Sequence, residues 1–167
     1  LEPPKNIFAH GWWTVNGQKM SKSLQNVVEP NKLIDQFGVD VIRYFLLREV
    51  PFGLDGDFSH KALIGRLNSD LANNFGNLLN RTVNMMKKFF DGVIPTPAAE
   101  GPEDNLLTEK ASEVITEVRK LYNELAYNKI LQKIWELVDV TNQYIDKTGP
   151  WNLVKTEEGK ERLKTVM

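Results

Sequence analysis

The chain has 167 residues, 41% of them hydrophobic and 26% charged, with a formal net charge of −1. That is the make-up of an ordinary folded protein, long enough for one or two small domains with a real core. The near-neutral balance excludes a protein that clings to polyanions through bulk charge, but not a local RNA site built on stacking and base-edge contacts.

Cysteine is absent, which excludes disulfides and a Cys-type zinc site. His10 and His60 are too far apart in sequence to suggest a metal pair. No apolar run reaches membrane-spanning length and no signal-peptide pattern opens the chain, so no membrane partner and a cytoplasmic location are expected. The chain begins at Leu1 rather than Met, and 157–167 read as helix without a stop signal. A piece of a longer protein is therefore expected.

The first element is the β-branched and aromatic run Ile7 to Val15, read as a strand and followed by the turn-forming pair Asn16-Gly17. Next comes Lys19-Met20-Ser21-Lys22-Ser23. Two lysines three apart on a serine-containing turn present two ammonium groups to one polyphosphate, with hydroxyls and turn amides as further donors. Such a loop suits a reaction in which charge builds up on departing pyrophosphate, as when a carboxylate attacks the α-phosphorus of ATP.

From Pro30 a helical pattern carries Leu33, Ile34, Phe37, Val41, Ile42, Phe45 and Leu46, broken by Gly38 into a short and a longer helix. Val50 to Asp57 is dense in Pro, Gly and Asp and reads as a loop. A domain boundary is placed there, dividing the chain into 1–58 and 59–167. Ser59 is the expected N-cap of one long helix with the stripe Leu63, Leu67, Leu71, Phe75, Leu78, Leu79, Val83, Met86 and Phe90, stopped at Asp91-Gly92. After a proline-rich connector, a second helix carries Leu107, Ala111, Val114, Val118, Leu121 and Leu125. A third carries Ile130, Leu131, Ile134, Leu137, Val138, Thr141 and Ile145, with Trp135 in the core, and ends at Thr148-Gly149-Pro150. The fold class expected is mainly α: an antiparallel helix bundle preceded by a short strand, the lysine loop and a small helical region.

Asn73, Asn77, Arg81 and Lys88 lie off the apolar stripe of the long helix, flanked by Asn80 and Asn84. Asn77 and Arg81, four apart, are surface neighbours. Asparagine is a mediocre helix former, so this density calls for a reason. The row reads either as a solvated face or as a kit for reading unpaired bases, since an Asn amide both donates and accepts and an Arg fork pairs or stacks. Trp151, presented after Pro150, reads either as a buried staple or as a stacking platform.

Taken together these residues resemble the methionyl-tRNA synthetase family of class I aminoacyl-tRNA synthetases. The resemblance runs from Ala9-His10-Gly11-Trp12-Trp13 through Asn16-Gly17-Gln18 into KMSKS at 19–23, then Gly38 to Glu49, then Asp57-Phe58-Ser59 leading into the anticodon-binding bundle. It implies that Lys22, supported by Lys19, contacts ATP from a mobile loop spanning Lys19, Met20, Ser21, Lys22 and Ser23, and that the bundle is truncated at its C-terminus. It also implies that Asn77 and Arg81 read anticodon bases and that one base stacks on Trp151. The intact enzyme of that family would use ATP with Mg2+ to join methionine into methionyl-adenylate and pass it to the 3′ adenosine of tRNA(Met), read through its CAU anticodon loop. The family's HIGH-type motif, methionine pocket and zinc knuckle are absent from these 167 residues, so adenylation by the chain alone is expected to be undetectable.

Where the family commonly has Gly, this chain has Gln25; a positive φ there would cost roughly 1 kcal/mol. KMSKS alone also fits the isoleucyl, valyl, leucyl or cysteinyl enzymes, and a stand-alone RNA-binding helical module is a third reading. Cut from its sheet, the lysine loop and its strand are expected to lack neighbours.

Overall fold

The structure is a computed structural model and describes residues 2–167; Leu1, on which the expectation of a longer protein partly rests, lies outside the described residues. Among the described residues twelve regular segments, three of them short strands, follow in an order that the sequence pattern largely anticipates. The chain divides into two compact units, one running up to Leu67 and including Leu121–Gln132, the other made of Asn68–Lys120 and Lys133–Met167.

The first unit holds a three-stranded sheet of order β2-β1-β3, with β1 at Trp13–Val15, β2 at Gln18–Lys19 and β3 at Gly56–Phe58. β1 pairs antiparallel with β2, Thr14 opposite Lys19 and Val15 opposite Gln18. Two residues join them, Asn16 at φ 51° and Gly17 at φ 73°, the left-handed pair that a tight hairpin of this hand requires. β1 also pairs parallel with β3, Trp13 opposite Gly56 and Val15 opposite Phe58. Here the structure corrects two sequence expectations. The end of the Pro/Gly/Asp stretch read as loop is a strand, and β1 therefore has neighbours on both edges. The expected strand from Ile7, by contrast, shrinks to three residues. Ile7, Phe8 and Trp12 are 88%, 64% and 74% exposed, and β-propensity does not make a strand where no partner edge lies alongside.

Helices α1 (Pro30–Phe37) and α2 (Val39–Glu49) meet at Gly38 and close over the sheet. Leu33, Ile42, Phe45, Phe58 and Leu63 form the core, with Trp13, Val15 and Val28 against it. Phe45, 1% exposed, is its centre; Trp13 lies 5.9 Å from its ring and Phe58 meets it edge-on at 5.7 Å. Such a side chain contributes about 2–3 kcal/mol through burial.

Ser59 caps α3 (His60–Arg66), its hydroxyl accepting from the Ala62 amide at 3.1 Å. The single long helix expected next is interrupted: Leu67–Gly76 winds as a π-helix before α4 (Asn77–Phe90) resumes α geometry. A π turn holds an extra residue, so the 3.6-residue stripe slips out of phase. Phe75, Leu79 and Val83, predicted inward, are 45%, 53% and 41% exposed. Gly76 marks the return to α winding. Its backbone is ordinary right-handed helix, but a Cβ there would lie 2.8 Å from the Leu71 carbonyl oxygen.

Helices α5 (Pro102–Asn123) and α6 (Tyr127–Thr148) belong to the second unit except for Leu121–Gln132, and the three-residue link between them holds Leu125 left-handed at φ 56° rather than as the last turn of a helix. Gly149 ends α6, and α7 (Pro150–Leu153) and α8 (Glu157–Val166) follow. Tyr144, Ile145 and Val166 form a core cluster against Leu78, Met85, Leu107 and Leu153. Beside it sits a polar clamp. Arg162 donates from Nη1 and Nη2 to the Asp104 carboxylate at 2.8 and 2.6 Å. The Tyr144 hydroxyl donates to the same group at 2.5 Å and the Gly101 amide at 2.8 Å.

Burial pushes the Asp104 carboxyl up, but Arg162, Tyr144 and the Gly101 amide together hold it below the ordinary carboxylate value. Burial, then Asp104, pushes the Tyr144 phenol up to about 12.

A carboxyl depressed on folding adds stability above its unfolded pKa and loses it as pH falls through the folded one. Urea melts from pH 6 down to 2 should show that loss below the ordinary value of 3.8, and Asp104→Asn should lessen it, Asp57 and Glu136 being depressed as well, while destabilising the chain at pH 7 by roughly 2–4 kcal/mol. Gly76→Ala, a change that ordinarily stabilises a helix by about 0.5–1 kcal/mol, should instead destabilise by about 1–3 kcal/mol. A gain in thermal midpoint would refute the steric argument.

Candidate functional site

The lysine loop grows directly from the β1–β2 hairpin, and its placement depends on carboxylates from the segment before α3. Asp57 Oδ1 accepts from the Thr14 hydroxyl at 2.6 Å and from the Gly17 amide at 2.7 Å. These two donors hold its carboxyl below the ordinary carboxylate value. Asp55 Oδ1 accepts from the Trp12 amide at 2.7 Å, and the Gly56 amide donates to the Trp12 carbonyl at 2.8 Å. Gly11 permits this approach, because a Cβ on it would lie 2.1 Å from the Leu54 carbonyl oxygen.

Within the loop, Lys19, Lys22 and Ser23 are exposed and Met20 and Ser21 half-buried. Lys19 Nζ lies 5.7 Å from the centroid of the Trp12 ring, within reach of a cation–π attraction. The Ser21 and Ser23 hydroxyls are 2.6 Å apart. Met20 lines a 260 Å³ cavity with Trp13, Leu33, Ile42 and Phe45, and shares a second hollow with Lys19, Trp12 and Asp55. The Gln25 amide donates to the Lys22 carbonyl at 3.2 Å, closing a turn. Asn26 ties down both ends of the first half: its Oδ1 accepts from the Ser21 amide at 2.8 Å and its Nδ2 donates to the Lys19 carbonyl at 3.1 Å. The loop thus offers the exposed ammonium groups of Lys19 and Lys22 and the paired Ser21 and Ser23 hydroxyls, on a backbone held by Asn26.

Gln25 adopts φ 52°, the left-handed conformation for which the sequence substitution raised the question. A residue with a Cβ bears roughly 1 kcal/mol of strain there.

The second unit brings Arg81 and Trp151 together from α4 and α7. The guanidinium carbon lies 5.9 Å from the centre of the indole ring, and Arg81 Nη2 donates to Asp146 Oδ1 at 2.5 Å. Trp151 is 44% exposed, so it is no buried staple. Asn77 is exposed one turn before Arg81 on α4. Part of the asparagine density has a structural cause. Asn74 Nδ2 donates to Asp139 at 2.6 Å and its carbonyl oxygen accepts from Asn142 at 2.8 Å, while Asn84 donates to Asn80 at 3.0 Å.

Asp55, Asp57, Asn26 and Asp146 escaped the sequence reading. Asn26 follows a serine-rich turn, where a side-chain amide commonly satisfies turn backbone, and that signal was available. Asp55 and Asp57 were hidden by the loop-like Asp-Gly-Asp composition.

Gln25→Gly is expected to raise stability by up to about 1 kcal/mol, part of the relief being offset in the unfolded chain, while β-branched Gln25→Val should lower it by about 1–2 kcal/mol. Denaturant melts of the three chains measure this; a loss with glycine would contradict the strain.

Comparison with known proteins gives these geometries a context. Residues 1–83 match the family described as "tRNA synthetases class I (M)". Along its entire length the chain is 52% identical to the methionine–tRNA ligase of Caldanaerobacter subterraneus subsp. tengcongensis and 48% identical to that of Thermotoga maritima, covering 26% of each. It spans about a quarter of the length of the curated relatives it matches. The structure of Mycobacterium tuberculosis methionyl-tRNA synthetase in complex with methionyl-adenylate superposes with a TM-score of 0.93 at 41% identity, covering 99% of this chain and 33% of that one. The apo form of the same protein gives 0.88 at 38% identity, covering 99% and 32%. On sequence identity along all of its residues and on this likeness of fold, the chain belongs to the methionine–tRNA ligase family of class I tRNA synthetases.

Proposed function

We propose that this chain carries the KMSKS loop of an ATP site together with the part of an anticodon-binding helical domain that reads tRNA(Met). The protein to which it contributes would activate methionine with ATP and transfer it to tRNA, in the cytoplasm. In the first step the methionine carboxylate attacks the α-phosphorus and pyrophosphate departs. Lys19 and Lys22, exposed on a loop whose backbone is held from below, suit the charge that gathers on the leaving group. The likeness to a synthetase solved with methionyl-adenylate, the product of such a step, supports this reading. No carboxylate lies in Lys19–Ser23, so these residues fit the polyphosphate oxygens rather than the Mg2+ that ATP would bring with it.

The single observation that carries the RNA half is Trp151, exposed on α7 with the Arg81 guanidinium 5.9 Å from its ring. A base stacked on the free indole surface would meet Arg81, whose planar fork is kept in place by Asp146. Asn77, on the same face of α4, adds a donor and an acceptor for a base edge.

Titrating the chain with an RNA hairpin bearing a CAU loop tests this. CAU should be preferred over a one-base variant, and Trp151→Ala should weaken binding by about tenfold or more. Equal binding of both loops would favour a sister synthetase or a general RNA module, and no binding by the folded chain would overturn the roles given to Asn77, Arg81 and Trp151.

A further inference from the structure

The Asn26 carboxamide meets the chain on both sides of Met20, accepting from the Ser21 amide and donating to the Lys19 carbonyl. A residue in an antiparallel ladder is bound in the same way by the strand beside it. The side chain therefore stands in for one more rung of β-structure immediately after β2, beside Met20. Extended backbone alternates its side chains between two faces. That alternation agrees with Met20 lining the apolar cavity while Lys19 is exposed and the Ser21 hydroxyl meets that of exposed Ser23. The Gln25-to-Lys22 turn then brings Asn26 back beneath the residues it binds.

We propose that Asn26 is the positioning residue of the lysine loop: its carboxamide fixes the backbone from Lys19 to Ser21 so that the loop's ammonium and hydroxyl groups face one polyphosphate. The affinity consequence rests on the polyphosphate reading given above; the fixing of the backbone does not.

The test uses the whole 167-residue chain, inorganic triphosphate as ligand, and amide hydrogen exchange at Ser21. Asn26→Ala should bind triphosphate about five- to tenfold more weakly and exchange the Ser21 amide about tenfold faster, as expected for the loss of two hydrogen bonds. The thermal midpoint should be unchanged, which separates positioning from general support of the fold. Asn26→Asp keeps the acceptor, so its Ser21 amide should stay protected. Triphosphate binding by Asn26→Ala equal to or tighter than that of the parent chain overturns the positioning role. If the parent chain does not bind triphosphate at all, the polyphosphate reading falls, and exchange alone decides the rest. Protection at Ser21 that is lost in Asn26→Ala and kept in Asn26→Asp upholds the latch, and protection surviving in Asn26→Ala refutes it.

Discussion

The arrangement of the first unit depends on a three-residue strand finding a partner edge. β1 would be too short to persist as one arm of an isolated hairpin. Its parallel pairing with β3 gives it a second edge, and Asp57 secures the result by binding a side chain of β1 and the turn beyond it. With that strand fixed, Trp13 and Val15 can pack on the core around Phe45, and the loop that follows β2 starts from a defined point. The lysines owe their presentation to this arrangement as much as to their own residues. A lysine loop on an unanchored hairpin would have to be ordered by its ligand, and that ordering would oppose binding.

The second unit solves a different problem with similar means. Its helices present few fully buried apolar side chains, and polar contacts hold elements together where the stripe has slipped. Asp104 collects donors from Arg162, Tyr144 and Gly101, so α5, α6 and α8 meet at one carboxylate. Asn74 similarly joins the π-helical stretch to α6 through Asp139 and Asn142. Breaking either cluster would leave partly buried polar groups without compensation, which is why such contacts tolerate substitution poorly. Arg81 with Asp146 shares this chemistry at an exposed position, next to an indole that remains open to solvent.

Local sequence signals agree with the structure wherever one residue decides the backbone. Ser59 caps a helix, Gly38 separates two, Asn16-Gly17 makes the hairpin turn and Asp91-Gly92 ends α4. The lysine loop was legible because its residues are contiguous, and the positive φ at Gln25 because a single substitution raised the question. What escaped depends on distant pairing. Gly56–Phe58 is a strand only because β1 lies beside it, and composition alone spoke for a loop. The π-helix escaped because its residues carry helical periodicity on both sides, and no residue type announces the extra member of a turn. Asn26 and Asp57 do their work through the backbone of other segments, which a reading of side-chain types along the chain does not register.

The bond from the Gly17 amide to Asp57 also bears on how the molecule ages. An asparagine followed by glycine is the sequence most prone to spontaneous deamidation, because the glycine nitrogen can attack the neighbouring carboxamide and close a five-membered imide. Hydrolysis of that imide mostly leaves an isoaspartate, which lengthens the main chain by one methylene. In this hairpin the nitrogen that would attack belongs to Gly17, and its proton is committed to Asp57 at 2.7 Å, within a turn whose two residues both hold a left-handed φ. The carboxylate that sets the lysine loop's starting point thus slows the chemistry that would otherwise lengthen the backbone under it.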